Sequence, residues 1–456
     1  MKMNLPKVKV APPAPIVSGL SENFGLSKTM ATLAVIFITA LCVLAVVWFV
    51  RSAPPRTIAI SSGKPGSTYE RYAEQYKKIL AQHGVDLQIV ASAGSLQNLH
   101  RLRSSQPGID IGFVQGGLAE GQNLDNLISL GSLAYQPLFV FYRSSTPFNR
   151  LSELAGKRIA VGTKGSGTRP LALALLKANG ITGASTTLLD LDADEATAAL
   201  LAGKLDAIFL MGESAPIQVL RTLIHSPDVQ MYNFAQADAY VRRFTYLNKI
   251  ELPEGSIDLG TDLPDHDIML IGPTVELVAR KDLNPAMSDL LIEVAQEVHG
   301  KASLFQKSLE FPAPLEHEFT ISDDARRYYK AGKSFTYKYV GNFWLASLIN
   351  RIAVYFLPLV VVLVPAIRFL PNAYRWRIRL RFYHCYRRLI RLEREAMGTL
   401  TDEQRQELLR RLDELVETVN RLQVPASLAD QYYALRGYIK FVHGQLTTPS
   451  PAAKAG

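Results

Sequence analysis

The chain has 456 residues, which is long for one domain and suggests two or three units. Lys and Arg outnumber Asp and Glu by 50 to 41, a formal charge of +9, so the positions of the basic residues decide what the excess means. The two cysteines, Cys42 and Cys385, lie far apart without CxxC or Cys/His spacing, which argues against a disulfide framework and a structural zinc site.

The N-terminal region combines a polar tail with an apolar run. Residues 1–28 are rich in Pro, Lys and Ser and are expected to form a disordered cytoplasmic tail. The run "MATLAVIFITALCVLAVVWFV" carries no charge and has close to the ~20 residues that span a bilayer, so we predict a transmembrane helix over 29–50. A cleaved signal peptide is the alternative, but its apolar core is usually roughly 7–15 residues long, and Arg51 and Pro54 make a poor cleavage context.

Strand-like and helix-like segments alternate through the next part of the chain. "TIAI" precedes "YERYAEQYKKILAQHG", and "RIAVGT" precedes "GTRPLALALLKANG", a pattern that indicates βαβ units and a parallel sheet. The segments fall into two halves, near 57–140 and 158–235, and "DIMLIGPTVELVARKDL" is strand-like again. We predict an α/β domain with two lobes and a cleft between them. Its expected bounds are 56–340 for the domain, about 56–145 plus 265–340 for lobe 1, and about 150–262 for lobe 2.

Three loops of small residues follow predicted strands at points where a helix should begin. They are "SSGKPGSTY" (61–69), "SAGSLQN" (92–98) and "GTKGSGTR" (162–169). Glycines let the backbone approach a ligand closely, and helix N-termini present unpaired N–H groups and a positive dipole end. Such turns cluster at the carboxyl ends of strands in an open α/β sheet. One loop of this kind is usually an ordinary turn, whereas three across two lobes favour a site for a small anion.

The same loops do not fit an enzyme that uses nucleotides. A Walker A loop requires GxxxxGK[ST]. "GTKGSGTR" has Arg169 where the motif needs a lysine or a hydroxyl residue, and "GKPGST" has Lys64 too early in the loop. The loops contain no GxGxxG, no GxSxG follows a predicted strand, and the histidines of this region are scattered without metal-ligand spacing. We therefore expect no enzymatic activity, no metal and no cofactor.

A second apolar run, "IAVYFLPLVVVLVPAIRFL", is predicted to belong to a transmembrane helix over 343–370. Its two prolines are tolerated in membranes where neighbouring groups satisfy the freed carbonyls. A buried helix of a soluble domain is the alternative, but a block of arginines follows at once and marks a cytoplasmic flank. Both termini are then cytoplasmic, 51–342 lies outside, and the positive charge no longer argues for nucleic-acid binding.

The C-terminal region, 371–456, is expected to be helical and cytoplasmic. Thr401 and Gln404 have the spacing of a capping box. The a/d spacing of a short coiled coil or helical hairpin follows at Leu408, Leu412, Leu415, Val419 and Leu422. Two interpretations remain open: a small self-packed helical domain, or a module for docking or for homodimer formation.

Taken in order, the segments of 57–335 resemble the solute-binding subunits of tripartite ATP-independent periplasmic (TRAP) transporters, in particular the TAXI class. The resemblance rests on "ISSGKPGSTYERYAEQYKKIL", "VASAGSLQNLHRLRSSQPGIDIGFVQGG", "LAGKRIAVGTKGSGTRPLALALLKANGI", "LLAGKLDAIFLMGESAPIQVLRTL" and "FPAPLEHEFTISDDARRYYKAG". It implies a two-lobed periplasmic-binding-protein-like (type II) fold and a small organic anion as the ligand: an acidic amino acid, a dicarboxylate or a 2-oxo acid. It also implies a separate TRAP-type permease as the partner. Unlike typical members, this chain is predicted to be anchored at both ends.

Applied to the three loops, the resemblance implies a set of ligand-binding residues. They are Ser67, Thr68, Tyr69, Ser95, Asn98, Gln115, Ser166, Gly167 and Thr168. Lys64 and Arg169 are candidate charge partners, with a solvated position as an equal alternative, and Glu213 either selects a ligand amino group or points to solvent.

The expected function is that of a receptor in the bacterial inner membrane, with two spans and a periplasmic binding domain, that delivers its ligand to the permease. The alternative is a sensor that couples periplasmic binding to a cytoplasmic partner through the C-terminal helices.

Overall fold

The computed structural model describes residues 28–104, 108–119, 121–212, 217–398, 400–421 and 428–447. The chain divides into two compact units, one formed by Ser52–Asn350 and the other by the described parts of Met1–Arg51 and Arg351–Gly456. Nearly all of the expected N-terminal tail, together with Glu213 and Leu422, lies outside the described residues.

The strands all belong to Ser52–Asn350. They are β1 (Thr57–Ser61), β2 (Asp86–Val90), β3 (Ile111–Gln115), β4 (Leu127–Tyr135), β5 (Leu138–Tyr142), β6 (Arg158–Ala160), β7 (Thr187–Leu189), β8 (Ala207–Met211), β9 (Gln230–Met231), β10 (Leu247–Leu252) and β11 (Ile268–Arg280). The helices are α1 (Lys28–Arg51), α2 (Thr68–Gln82), α3 (Ser95–Arg103), α4 (Thr168–Ala178), α5 (Ala193–Leu201), α6 (Ile217–Ile224), α7 (Ala237–Arg243), α8 (Pro285–His299), α9 (Asp323–Ala331), α10 (Phe335–Tyr339), α11 (Phe343–Ala396), α12 (Asp402–Asn420) and α13 (Ala429–Thr447).

The first sheet, which defines lobe 1, has the order β2-β1-β3-β11-β4. β1 pairs in parallel with β2 and β3, as the βαβ pattern predicts, whereas β11 is antiparallel to both of its neighbours. Helix α2 buries Tyr69, Ala73, Tyr76 and Leu80, which recur at helical spacing and pack with α8 on one face of this sheet. Helix α3 packs on the other face through Leu99 and neighbouring apolar residues.

The second sheet, which defines lobe 2, has the order β10-β11-β5-β8-β6-β7. β6 is parallel to β7 and β8, and β5 is antiparallel to β8. The segment "LGSLAYQPLFVFYR" therefore forms two strands that belong to different lobes. The boundary expected after 145 differs from this arrangement, because β5 pairs with β8 and so lies in lobe 2.

Two chain segments cross between the lobes. β11 pairs with β10 over Ile268–Pro273 and then with β4 from Thr274 onward, so one 13-residue strand belongs to both sheets. The other crossing lies between β4 and β5, at Gln136. A Cβ atom at Gly272 would lie 2.1 Å from the Gln136 carbonyl oxygen, so only glycine fits where the two segments meet.

The helices of the other unit share an apolar cluster. It contains Phe382, Cys385, Leu389 and Leu392 of α11, Leu408, Leu412, Leu415 and Val419 of α12, and Leu435, Ile439, Val442 and Leu446 of α13. The capping box at Thr401 and Gln404 is present, with the Thr401 hydroxyl accepting from the Gln404 backbone N–H. The four described residues of the a/d pattern thus pack within the chain, which supports the self-packed helical interpretation.

Among the described residues, one helical stretch, Phe343–Val362, is long and apolar enough to cross a membrane. The first apolar run is helical, but its apolar part, Val35–Arg51, is shorter. α11 continues through Pro358 and Pro365 without a break.

Candidate functional site

The first predicted loop connects β1 to α2. The Ser67 hydroxyl accepts from the Glu70 backbone N–H at 3.3 Å, and the Glu70 carboxylate accepts from the Gly66 N–H at 2.6 Å. These two contacts satisfy N–H groups at the start of α2. Thr68 is half-buried, and its hydroxyl accepts from the Arg71 guanidinium at 3.0 Å. The Ser67 and Thr68 side chains therefore stabilise the first turn of the helix.

The second loop brings three predicted residues together in the interior of lobe 1. The hydroxyl groups of Tyr69 and Ser95 lie 3.0 Å apart, and the Ser95 hydroxyl also accepts from the Gln115 backbone N–H at 3.3 Å. All three residues are buried. The first residue of α3 is thus linked to α2 and to the carboxyl end of β3.

Asn98 is buried and fully engaged by its own lobe. Its side-chain amide donates to the carbonyls of Ser62 and Phe113 at 2.7 and 2.8 Å, and its side-chain carbonyl accepts from the Ser61 hydroxyl at 2.6 Å. The residue therefore joins the ends of β1 and β3 to α3. In this structure Asn98 positions the loops, and its side chain is occupied by these bonds.

The third loop connects β6 to α4 in lobe 2. The Ser166 hydroxyl donates to the Thr163 carbonyl at 2.8 Å and accepts from the Arg169 N–H at 3.4 Å. Ser166, Gly167 and Thr168 are all buried. This loop repeats the arrangement of the first one, with a hydroxyl closing the turn that precedes a helix.

The second and third loops are in contact across the lobes. The Gln115 side-chain amide donates to the Gly167 carbonyl at 2.8 Å, and the Gln97 backbone N–H donates to the Gly165 carbonyl at 3.1 Å. The side-chain oxygen of Gln115 is buried and has no hydrogen-bond partner among the described residues. The beginnings of α3 and α4 therefore meet at this point.

The two candidate charge partners differ in their surroundings. The Arg169 guanidinium lies 2.8 Å from the Asp190 carboxylate, and both side chains are about one-third exposed, so the positive charge is already paired. Lys64 is half-buried in the first loop and makes no ion pair within the described part of the chain. Lys64 is therefore the better placed of the two to add positive charge.

Sequence reasoning missed several residues that border this contact. Gln97 lies inside the quoted loop "SAGSLQN" and could have been chosen from its position near the start of α3. Tyr246 packs on Gly117, where a Cβ atom would lie 2.5 Å from the tyrosine ring, and Glu318 accepts from the Gly117 N–H at 2.7 Å. Neither residue belongs to a motif that could have indicated it.

Two α/β lobes, joined by two crossing segments and meeting at the beginnings of two helices, define a periplasmic-binding-protein-like fold. The model of the NMT1-like family matches residues 60–299, which is 240 of the 456 residues. The chain belongs to the NMT1-like family.

Similar solved structures include transport proteins and other binding proteins. The periplasmic aliphatic sulphonate binding protein SsuA from Escherichia coli is 17% identical, with a TM-score of 0.35 and coverage of 54% of this chain and 69% of that chain. The alkanesulfonate-binding protein SsuA from Xanthomonas axonopodis pv. citri, bound to MOPS, is 18% identical, with a TM-score of 0.33 and coverage of 55% and 81%. Tv2483 bound to L-arginine is 15% identical, with a TM-score of 0.34 and coverage of 53% and 84%.

Proposed function

We propose that this protein is a membrane-anchored periplasmic receptor that binds a small organic anion between its lobes and delivers it to a TRAP-type permease. The observation that carries the proposal is the contact between the Gln97 N–H and the Gly165 carbonyl at the beginning of α3. A carbonyl oxygen of lobe 2 accepts there from one of the N–H groups that a helix leaves unpaired. An oxygen of an anionic ligand would find the same donor when the lobes separate.

The chemistry of the loops suits a carboxylate. The beginnings of α3 and α4 provide backbone donors, Ser95 and Ser166 provide hydroxyls, and the Gln115 amide can donate to either a lobe or a ligand. We propose that the binding set remains Ser67, Thr68, Tyr69, Ser95, Asn98, Gln115, Ser166, Gly167 and Thr168, with Asn98 acting through the loops that it holds. Lys64 and Arg169 would lie at the margin of this proposed binding site. A sulfonate would need similar donors, because it is also a small oxyanion.

We further propose the membrane arrangement that the sequence suggests. In it, 1–28 is a cytoplasmic tail, 56–340 is periplasmic and 371–456 is cytoplasmic. The spans are 29–50 and 343–370, the second of which begins with Phe343 and Trp344 still packed in lobe 1. The apolar stretch Phe343–Val362 and the helical first run support it, as do the arginines that follow 370. The location would be the bacterial inner membrane.

The proposed role is binding without catalysis. Within the described ranges, no group of three His, Cys, Asp or Glu side chains is placed to hold a metal ion. The loop hydroxyls of Ser67, Ser95 and Ser166 are engaged with backbone groups or with Tyr69, and no histidine is bonded to them among these contacts. Such an arrangement supports ligand recognition.

The test is a binding screen on the full-length protein in detergent. Thermal unfolding is followed with L-aspartate, L-glutamate, succinate, 2-oxoglutarate and ethanesulfonate, each titrated to millimolar concentration. Stabilisation by at least one carboxylate, weakened about tenfold in Ser95→Ala and Ser166→Ala, is the expected result. If no anion changes the unfolding temperature, or if both variants bind as wild type does, the proposed site is wrong.

A sensor function is the second candidate, because one structural observation favours it. α11 begins in the core of lobe 1, where Phe343 is buried and the Trp344 indole donates to the His83 carbonyl at 3.0 Å. The same helix ends among the residues that pack with α12 and α13. Truncation after residue 399 separates the two functions: unchanged uptake with an unchanged cellular response to the ligand supports delivery alone, whereas loss of the ligand response supports sensing.

A further inference from the structure

A pocket of about 450 Å³ lies between the lobes, beside the candidate site. Its lining within the described ranges includes Ala119, Leu124 and Glu318 from lobe 1 and Arg243, Phe244 and Tyr246 from lobe 2. The Tyr246 ring packs directly on Gly117, two residues after Gln115 in the chain. The pocket therefore borders the segment that follows β3 and the candidate site.

The two lobes contribute opposite charges to this pocket. Glu318 comes from lobe 1, where one of its carboxylate oxygens accepts from the Gly117 N–H at 2.7 Å. Arg243 comes from lobe 2, and its exposed guanidinium lies 6.0 Å from the Phe244 ring centre without an ion pair inside the described part of the chain. A solute with one cationic and one anionic group would satisfy both sides.

A second carboxyl group, that of Glu276, lies close enough to Glu318 for the two to repel each other. Glu276 is on β11, opposite Val114 of β3 and Ser132 of β4, and is completely buried. The Ser129 hydroxyl is beside it, yet neither carboxyl oxygen makes a hydrogen bond of normal geometry among the described residues. Buried polar groups are nearly always paired, so an acid in this state indicates a missing partner.

The surroundings of Glu276 determine its charge. Burial, together with the nearby Glu318 carboxylate, raises the pKa of Glu276 to about 8, so it is mostly neutral at pH 7. The other groups near or opposite it, Val114, Ser129, Ser132 and Thr274, do not titrate near pH 7. His317, next to Glu318 in the chain, has a pKa lowered by burial and is also neutral there.

We propose that the Glu318 end of this pocket, with Glu276 behind it, binds an ammonium group of the solute, while Arg243 and the beginnings of α3 and α4 take its anionic groups. The inference rests on the proposed function and narrows its ligand to a zwitterion in preference to a simple dicarboxylate. The positive charge of the ligand offsets the repulsion between the two acids. Glu276 then loses its proton to solvent when the ammonium group arrives.

Two solutes that differ by one group provide the test. L-Aspartate is succinate with an ammonium group in place of one hydrogen atom. Binding of each to the full-length protein in detergent is measured by titration calorimetry at pH 7.2. Bis-Tris and Tris are used in parallel, because their different ionisation enthalpies reveal any proton released. The wild type is expected to bind L-aspartate at least tenfold more tightly than succinate and to release a proton only with L-aspartate.

Two variants assign the effect to the acids. Glu318→Gln is expected to lose the preference for L-aspartate over succinate. Glu276→Gln is expected to bind L-aspartate without proton release; because Glu276 is mostly neutral, the amide replaces it with little change in shape or charge. Glu251→Gln, which removes an exposed charge on β10, should behave as the wild type does.

The outcomes separate the inference from the proposed function. Equal affinity of the wild type for both solutes, or an unchanged preference in Glu318→Gln, overturns the ammonium subsite and leaves the receptor intact. Proton release that persists in Glu276→Gln overturns the role of Glu276. If neither these solutes nor any other small anion binds, the receptor proposal fails and the inference fails with it.

Discussion

The side-chain amide of Gln115 donates to the backbone carbonyl of Gly167, and this bond joins the end of a strand in lobe 1 to the start of a helix in lobe 2. The two residues are 52 positions apart in the chain. Both are buried, and the remaining Gln115 oxygen has no partner among the described residues. The Gln115 side chain therefore joins the two lobes through its amide nitrogen and carries the oxygen that would contact a ligand.

Gly167→Ala should weaken ligand binding by roughly five- to tenfold, corresponding to the loss of one hydrogen bond worth about 1 kcal/mol. A Cβ atom at this position would lie 2.2 Å from the Gln115 side-chain oxygen, so the amide must turn away. The φ angle of −76° allows alanine without backbone strain. Gly183→Ala is the matched control, because a Cβ there meets nothing within 4 Å. The affinities of both variants for L-aspartate are measured by calorimetry. Equal affinities would contradict a role for the hydrogen bond between Gln115 and Gly167 in ligand binding.

Asn98→Ala should destabilise Ser52–Asn350 by about 3 kcal/mol. The change leaves the carbonyls of Ser62 and Phe113 buried without their donor, and each such loss typically costs about 1–3 kcal/mol. Thermal unfolding monitored by circular dichroism measures the effect. Asn126→Ala, at an exposed position, should change stability by less than about 0.5 kcal/mol. An Asn98 variant as stable as this control would show that its hydrogen bonds are dispensable.

His299 should make the folded state less stable in acid. Burial among Tyr72 and Tyr76 lowers the pKa of His299 from 6.5 to about 3, so the unfolded chain takes up a proton that the folded chain does not. Stability from this group is complete above pH 6.5 and is lost as the pH falls toward 3, with a limiting slope of about 1.4 kcal/mol per pH unit. Urea unfolding from pH 7 to 5 measures the slope. His299→Gln should flatten it, and the exposed His266→Gln should not.

Glu276 should make the folded state less stable as the pH rises. Its pKa is raised from 4.5 to about 8, so the folded chain holds a proton that the unfolded chain releases. The stability from this proton is complete below pH 4.5 and is lost as the pH rises toward 8. Glu276→Gln should consequently be more stable than the wild type at pH 8.5 and little different at pH 5. If urea unfolding shows the same pH dependence for both proteins, the neutral state of this acid is disproved.

Leu412→Ala tests the packing of the C-terminal helices. Leu412 is fully buried in the cluster of α11, α12 and α13, and such truncations usually cost about 2–5 kcal/mol. The helices should then become sensitive to limited proteolysis at lower temperature, while L-aspartate binding stays unchanged. Glu403→Ala, on the exposed side of α12, is the control. Proteolysis that does not distinguish the two variants would argue against the cluster as the source of stability.

Local features of the fold were accessible from the sequence. The alternation of apolar strands and amphipathic helices follows from side-chain periodicity, so the strand ends and helix starts at Ser67 and Ser95 could be located. The capping box at Thr401 is also local chemistry, because its partner is three residues away. Gln115 could be chosen since it ends a buried strand at the sheet edge where ligands bind.

Features that depend on distant partners were not accessible in this way. Asn98 stands near a helix start, and periodicity does not reveal whether its amide faces a ligand or the carbonyls of its own sheet. Arg169 was a candidate charge partner, but its pairing with Asp190 depends on how β7 lies beside the third loop. The contact between Gly117 and Glu318 joins positions 201 residues apart, and only tertiary packing brings them together.

The continuous strand β11 has a mechanical consequence. Because the same hydrogen-bonded strand belongs to both sheets, the lobes are not joined by a flexible linker. Separation of the lobes must be absorbed as twist along β11 and the Gln136 segment, whose backbones touch at Gly272. The two crossings would then limit how far the lobes can separate, and this limit would set the size of the solute that can enter between them.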